Sequence, residues 1–393
     1  MGNCVGIISL YYKNYNYGGL LQSYAMVRAL KNIGYNAVQI SYDRYSEPKK
    51  SFNKDEINSH SNLMDFINKY LIVKGPNYLF RVTHPSDVDY SLRSINLRNK
   101  ILSEFEKSIP HSRIYSHLDI GQANDEFDYF ICGSDQIWNP SYLRDAYFLD
   151  FVSEEKKKIA YAASIGRSHL SSSEYEYINK KTRGFSAISV REASAFALLK
   201  SNGCRNMQVV LDPTLLLSLE EWETLEKTFP ISKDYVFAYY LDDSVKQRKL
   251  VQDFAKKRNL ILVTFPNLLG KYRKEDYKFG DVQVYDATPG QFLYLIKNAS
   301  FVFTDSFHVC MFSILYKKNF IVFERGNKVN KNDMNSRVRS LLEIFGLEEQ
   351  FVNEDEFKLE LDCLHPNYLN ESSSFADAKK MSYNYLINSL RGE

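Results

Sequence analysis

Three short segments hold the residue types that could move protons and grip anions. The stretch FTDSFHVCMFSILYKKNFIVFE (303–324) reads as strand, turn, helix, strand, and places Asp305 and His308 at the first turn. A histidine there can give or take a proton near neutral pH. The helix start, with Ser306 as its cap, offers free N–H groups that favour phosphate or carboxylate. A plain Asp-Ser cap beside a backbone-satisfied histidine fits the same letters. FICGSDQIWNP (130–140) has the same form: Gly133 allows a close turn, Ser134 and Asp135 can cap or bind hydroxyls, and Gln136 and Asn139 add amides. NYNYGGLLQSYA (14–25) sets Gly18 and Gly19 between a strand and a helix, where a ligand can approach the backbone. This is not a dinucleotide fingerprint, and it lacks the lysine and serine of a P-loop.

Cations stand at comparable places. Arg191 ends the strand of ISVRE, and its planar fork suits carboxylate or phosphate. The alternative is an ion pair with Glu192 or another surface acid, a contact usually worth little. Arg337 and Arg339 open a helix in NSRVRSLLEIFG, and Lys317 and Lys318 lie where a helix returns to a strand, a position that also suits the helix dipole.

The elements that must carry these groups alternate between apolar strands and amphipathic helices. Strand 4–12, helix 18–34 and strand 36–43 make one β-α-β unit. Residues 45–117 interrupt the rhythm with weaker helical patterns at 62–73 and 90–107, and read as an insertion packed loosely over the first domain, on its acceptor side. The rhythm resumes at 127 and runs to about 217. A second series of strands and helices begins after Pro230. The division expected is 1–229, 230–370 and a closing helix within 371–393 that packs back on the first domain. The fold class is α/β, with two doubly wound Rossmann-like domains facing each other across a cleft lined by the carboxyl ends of both sheets.

Bulk properties narrow the function classes. The chain has 393 residues, a formal net charge of +2, 44 % hydrophobic and 25 % charged residues, an ordinary two-domain globular composition. No basic stripe points to nucleic acid. The five cysteines are scattered without a C-x-x-C pair, which fits a reducing compartment and no structural zinc. The start MGNCVGIISLYY reads as a first strand rather than a leader, and no long uncharged apolar run predicts a membrane span. A cytoplasmic protein with at most peripheral contact at the inner face of the membrane is expected. The 29 tyrosines fit either a codon-biased genome or aromatic platforms for sugar rings.

The segments NYGGLLQSYAM, FDYFICGSDQIWNP, YAASIG, SVREASA, VVLDPTLLL, PGQFLYLIKNASFVFTDSFHVCMFSILYKKNFIVF and NSRVRSLLEIFGL, in this order from residue 16 to about 347, resemble the polysaccharide pyruvyl transferase family. The resemblance implies a GT-B-like fold and transfer of the pyruvyl group of phosphoenolpyruvate to two hydroxyls of one sugar, as a cyclic ketal. The acceptor would be a polysaccharide or its lipid-linked or nucleotide-activated precursor. Phosphoenolpyruvate is the co-substrate, with no further cofactor and no metal. It further implies His308 as the acid and Arg191 and Lys318 as donor ligands. Several members carry Arg-Leu-His where this chain has Ser306-Phe307-His308, and Arg337 is the candidate to supply the missing charge. Asp135 or Asp305 would orient hydroxyls or take a proton, and Gly18, Gly19, Ser134, Gln136 and Asn139 would face the acceptor. Two other functions suit the same scaffold: a nucleotide-sugar glycosyltransferase, with Glu324 near the place of a ribose-binding acid, and a glycan-binding relative without turnover.

Overall fold

Strands that are apolar at nearly every position are buried on both faces, and such strands form parallel sheets covered by helices. The computed structural model describes residues 3–48, 50, 85–200, 207–270, 272–326, 335–357, 365–368 and 371–392. The helix expected at 62–73 lies outside the described residues, as do Cys204 and Cys363.

The first lobe runs β1 (Cys4–Ile8), α1 (Tyr17–Asn32), β2 (Asn36–Tyr42), α2 (Pro85–Ser108), β3 (His111–Tyr115), β4 (Tyr129–Cys132), β5 (Lys158–Ala163), α3 (Ser172–Thr182), β6 (Ala187–Val190), α4 (Ala193–Lys200), β7 (Met207–Val209) and α5 (Leu219–Glu223). Its seven strands are parallel, in the order β3-β2-β1-β4-β5-β6-β7. The second lobe runs β8 (Tyr235–Tyr239), α6 (Val245–Lys257), β9 (Ile261–Thr264), β10 (Val282–Gln283), α7 (Pro289–Lys297), β11 (Phe301–Thr304), α8 (Phe307–Leu315), β12 (Phe320–Phe323), α9 (Ser336–Phe345) and β13 (Phe351–Val352). Its six strands are also parallel, ordered β10-β9-β8-β11-β12-β13. Capping boxes start α3 (Ser171 with Glu174), α5 (Ser218 with Glu221) and α7 (Thr288 with Gln291), each satisfying two helix-start donors.

The two doubly wound α/β lobes agree with the sequence expectation. The insertion expected over 45–117 needs correction at its end: His111–Tyr115 pairs with β2 and extends the first sheet. This edge strand, HSRIY, is mostly exposed, so it lacks the apolar run that marks the others.

The lobes are joined by more than a linker. Tyr17, at the start of α1, stacks on Phe292 with ring centres 4.5 Å apart and donates its hydroxyl to Ala287 O at 2.7 Å. Arg98 of α2, 4 % exposed, crosses to the second lobe and donates to the carbonyls of Val284 (3.0 Å), Tyr285 (3.2 Å), Pro266 (2.9 Å) and Asn267 (3.5 Å). So α2 clasps both lobes, where the sequence suggested loose packing on one. The last helix, α10 (Glu371–Arg391), returns to the first lobe. Its Ser382 hydroxyl accepts from Leu211 N at 3.0 Å, and its Tyr385 donates to Ala160 O at 2.8 Å. Among the described residues no helix is long and apolar enough to cross a membrane.

Strand order reverses between β1 and β4 in one sheet and between β8 and β11 in the other. Such switch points open a crevice at the carboxyl ends of the strands. Ser134 and Asp135 follow β4, and Asp305 and Ser306 follow β11, so both polar turns of the sequence fall at a switch point.

Candidate active site

The start of α8 is the centre of the site. Phe307, its first residue, is 5 % exposed, and its ring gathers three groups: the Arg191 guanidinium carbon lies 4.5 Å from the ring centre, that of Arg337 5.6 Å, and the His308 ring centre 5.6 Å. Arg191 comes from the end of β6, Arg337 from the first turn of α9. The residues around this ring therefore come from just before α4, from the start of α8 and from the first turn of α9. Ser306, the N-cap of α8, makes no side-chain cap bond, and its N–H donates to Thr304 Oγ1 at 3.0 Å.

Arg191 is held from the first lobe. Its Nη1 donates to Asp212 Oδ2 at 2.8 Å and its Nη2 to Asp135 Oδ1 at 3.1 Å, while Glu192 Oε2 lies 3.9 Å from Nε. Asp212 is itself fixed by the Ser134 hydroxyl (2.8 Å) and by the N–H and hydroxyl of Thr214 (3.1 and 2.9 Å). Glu192 Oε1 accepts from Ser164 Oγ, Ile165 N and Gly166 N. The Arg191 side chain is 0 % exposed. Burial disfavours its charge, but Asp135, Asp212 and Glu192 outweigh that and raise its pKa. Burial would likewise raise the Asp135 carboxyl, yet Arg191, then His308 and Arg337, hold it below the ordinary value. Gly133 permits this turn: it sits at φ +111°, and a Cβ there would lie 2.1 Å from Tyr161 O.

Arg337 has no such close partners. It is 5 % exposed, and among the described residues it makes no hydrogen bond or ion pair; its Nε is buried and unpartnered. Burial first, and the nearby Arg191 charge second, push its pKa down to about 9, while Glu192 and Asp135 oppose them. His308 is 9 % exposed and its Nε2 is also buried without a partner among the described residues. Burial lowers its pKa below the ordinary value; Asp212 and Asp135 oppose this, and Arg191 and Arg337 add to it. The shift favours the neutral imidazole. A buried guanidinium with no direct ion pair is costly, and the Glu192 and Asp135 carboxylates act on it only from a distance.

The structure brings Ser134, Asp135, Arg191, Ser306, His308 and Arg337 together, with Gly18 against His308. It does not bring the others. Lys318 lies beyond the far end of α8, a nine-residue helix about 13 Å long, and its Nζ donates to Lys297 O at 2.8 Å. There it ties the end of α7 to the segment after α8, away from the His308 end of that helix. Asp305 is a backbone clasp: Oδ1 accepts from Leu241 N (2.7 Å), Oδ2 from Asp242 N (2.6 Å), and Arg325 lies 3.4 Å from Oδ2. Gln136 and Asn139 bond to each other at 3.0 Å, and Gly19 N donates to Asn16 Oδ1 at 3.1 Å, capping α1. Arg191 also differs from the expected free clamp, because both of its Nη atoms carry carboxylates.

Sequence reasoning missed Asp212 and Phe307. Asp212 stands in VVLDPTLLL, where Asp-Pro after a strand reads as a turn; it does cap the turn at Pro213–Leu215. Phe307 looks like one more apolar residue of a buried helix. Glu192 was visible only as a neighbour of Arg191.

Comparison with solved structures places this geometry. The MnaA–UDP structure from S. aureus aligns with a TM-score of 0.56 at 12% identity, covering 100% of this chain and 96% of that one. The UDP-GlcNAc 2-epimerase from Methanocaldococcus jannaschii aligns at 0.52 and 13% identity, covering 97% and 99%. At such identity the likeness is one of fold, and the fold is GT-B-like. No curated protein matches the chain by sequence. The sequence model of the polysaccharide pyruvyl transferase family matches residues 16–327, and the chain belongs to that family.

Proposed function

We propose that the protein transfers the pyruvyl group of phosphoenolpyruvate to two hydroxyls of a sugar in a polysaccharide or its lipid-linked or nucleotide-activated precursor. The observation that carries this reading is the Arg337 guanidinium, buried without an ion pair among the described residues, beside the unpartnered Nε2 of His308, both against Phe307 at a helix start. A small, multiply charged donor satisfies the first, and a carbon that must be protonated gives the second its use.

Arg337, Ser306 and the N–H groups that open α8 hold the donor anion. Its charge draws a proton onto the neutral imidazole, and His308 delivers it to the methylene carbon, which becomes a methyl group. The adjacent carbon is then electrophilic, and a sugar hydroxyl adds to it. The second hydroxyl displaces phosphate and closes the ketal. Of the two hydroxyl protons, one balances the new methyl C–H and the other leaves with phosphate. Asp135 is the one acid of the Arg191 cluster with notable side-chain exposure, 13 % against 1 % for Asp212 and 0 % for Glu192, and it orients the acceptor hydroxyls. Arg191 acts as a positioning residue that holds Asp135 and carries Phe307. Positioned acid–base help supplies about 10²–10⁴-fold, and fixed charge around the donor the larger remainder.

A nucleotide-sugar reaction has less support. Glu324, at the place of a ribose-binding acid, is engaged by Arg339 (3.2 Å) and Asn353 (2.8 Å). Thermal unfolding with phosphoenolpyruvate, UDP and GDP separates the two reactions. Stabilisation by phosphoenolpyruvate alone, followed by phosphate release with a panel of lipid-linked and activated sugars, supports pyruvyl transfer. Stabilisation by a nucleotide alone overturns it.

A further inference from the structure

The first turn of α9 contains a second orphan that the mechanism above leaves unused. Ser336, the first residue of the helix, is 9 % exposed, and its Oγ is buried with no hydrogen-bond partner among the described residues. A serine at a helix start ordinarily finds a backbone group or water, because its hydroxyl rotates freely. The neighbouring N-cap, Asn335, does not cap α9. Its side chain is turned to the preceding segment, accepting from Arg325 N at 2.9 Å and donating to Arg325 O at 3.0 Å. Among the described residues no side chain caps the first-turn N–H groups of α9, and a buried hydroxyl and a buried cation stand beside them on adjacent residues.

Resting on the pyruvyl-transfer reading, we infer that Ser336 is a donor-binding residue: its hydroxyl, the opening N–H groups of α9 and the Arg337 guanidinium form an oxyanion subsite separate from the one at the start of α8. Phosphoenolpyruvate carries two oxyanion groups, a phosphate and a carboxylate, and the two helix starts that meet at Phe307 provide one subsite for each. Two subsites at a fixed spacing select a donor with both groups and discriminate against inorganic phosphate or pyruvate alone. They also keep the carboxylate in place while phosphate departs.

Isothermal titration of phosphoenolpyruvate, inorganic phosphate and pyruvate into wild type and Ser336→Ala tests this. The serine hydroxyl is removed with little effect on the helix, and Ser336→Gly serves as the second variant should the first fail to fold. The expected result is at least tenfold weaker phosphoenolpyruvate binding by the variant, with unchanged melting temperature of the empty protein. A matching loss for phosphate but not pyruvate assigns the phosphate to α9; a loss for pyruvate but not phosphate assigns the carboxylate. Equal phosphoenolpyruvate affinity in wild type and variant overturns the role of Ser336 while leaving pyruvyl transfer standing. A wild-type protein that binds no phosphoenolpyruvate overturns the reading beneath it.

Discussion

The imidazole of His308 occupies the space that any side chain at position 18 would need. A Cβ on Gly18 would lie 2.3 Å from ring atoms Cγ and Nδ1 and 2.8 Å from the His308 Cβ. The ring belongs to the second lobe and the glycine to the first, so the acid is seated by lobe closure onto the start of α1. Gly18→Ala must push the ring or part the lobes. A displacement of about 1 Å at a reacting group costs roughly 10²-fold in rate. We expect turnover to fall by that order in Gly18→Ala, with an unchanged far-ultraviolet circular dichroism spectrum. Wild-type turnover would show that the ring position is irrelevant to the reaction.

Arg191 and Asp212 form a buried pair that supports the site rather than a charge awaiting a ligand. Removing one member of such a pair strands the other, at a cost of about 3–5 kcal/mol. Asp212→Asn should lower the unfolding free energy by roughly 3 kcal/mol in urea titration. Arg191→Ala, which leaves Asp135 and Asp212 facing each other, should lose at least as much and yield less soluble protein. A midpoint for Asp212→Asn equal to wild type would refute the pairing. Loss of activity in Arg191→Ala is therefore no proof of donor contact unless stability is measured beside it.

Arg337 predicts the opposite sign. Replacing a buried cation that makes no ion pair by an apolar side chain of similar length removes its desolvation penalty. Arg337→Met should raise the melting temperature of the empty protein and abolish the additional rise on adding phosphoenolpyruvate. A destabilised Arg337→Met variant that still responds to the donor would place the anion elsewhere.

His308 gives the pH dependence. Its folded pKa is depressed below the ordinary 6.5, mainly by burial. The unfolded chain thus binds the proton more readily, and this histidine opposes folding as pH falls from the unfolded value toward the folded one. Stability from this group is complete above about pH 7 and declines below about 6.5. Donor binding reverses the bias, because an anion favours the imidazolium. Calorimetric titration at pH 7.5 in buffers of different ionisation enthalpy should register net proton uptake in wild type and none in His308→Gln. Equal uptake in both would remove His308 from the proton path.

The two parallel sheets were legible because buried strands are apolar at nearly every position and their helices begin with recognisable caps. The polar turns at Ser134–Asp135 and Asp305–Ser306 were legible because each interrupts an apolar run at a strand end. What separated Asp135 from Asp305 was not. Both are acids after a central strand, but one faces Arg191 across the sheet and the other turns back to the N–H groups of Leu241 and Asp242. That choice depends on contacts between segments distant in sequence. Lys318 shows the same limit: its distance along the chain from His308 says nothing of the full helix that separates them in space. Ser336 was invisible because an unpaired hydroxyl is defined by what surrounds it.

Arg98 tests the coupling of the lobes. Its guanidinium donates to four carbonyls of the second lobe from a helix rooted in the first, and it is 4 % exposed. Arg98→Ala leaves those carbonyls without their donor, and hydrogen bonds to a charged group contribute about 1.5–3 kcal/mol each before water replaces them. Water can enter once the side chain is gone, so the net loss should be nearer 3 kcal/mol than the sum. The lobes should then separate more readily, unseating His308 from Gly18 although Arg98 touches neither. Hydrogen–deuterium exchange should quicken across residues 266–287 and at the starts of α1 and α8. Faster exchange confined to 266–287, with full activity, would mean that α2 braces the second lobe without governing its closure on the first.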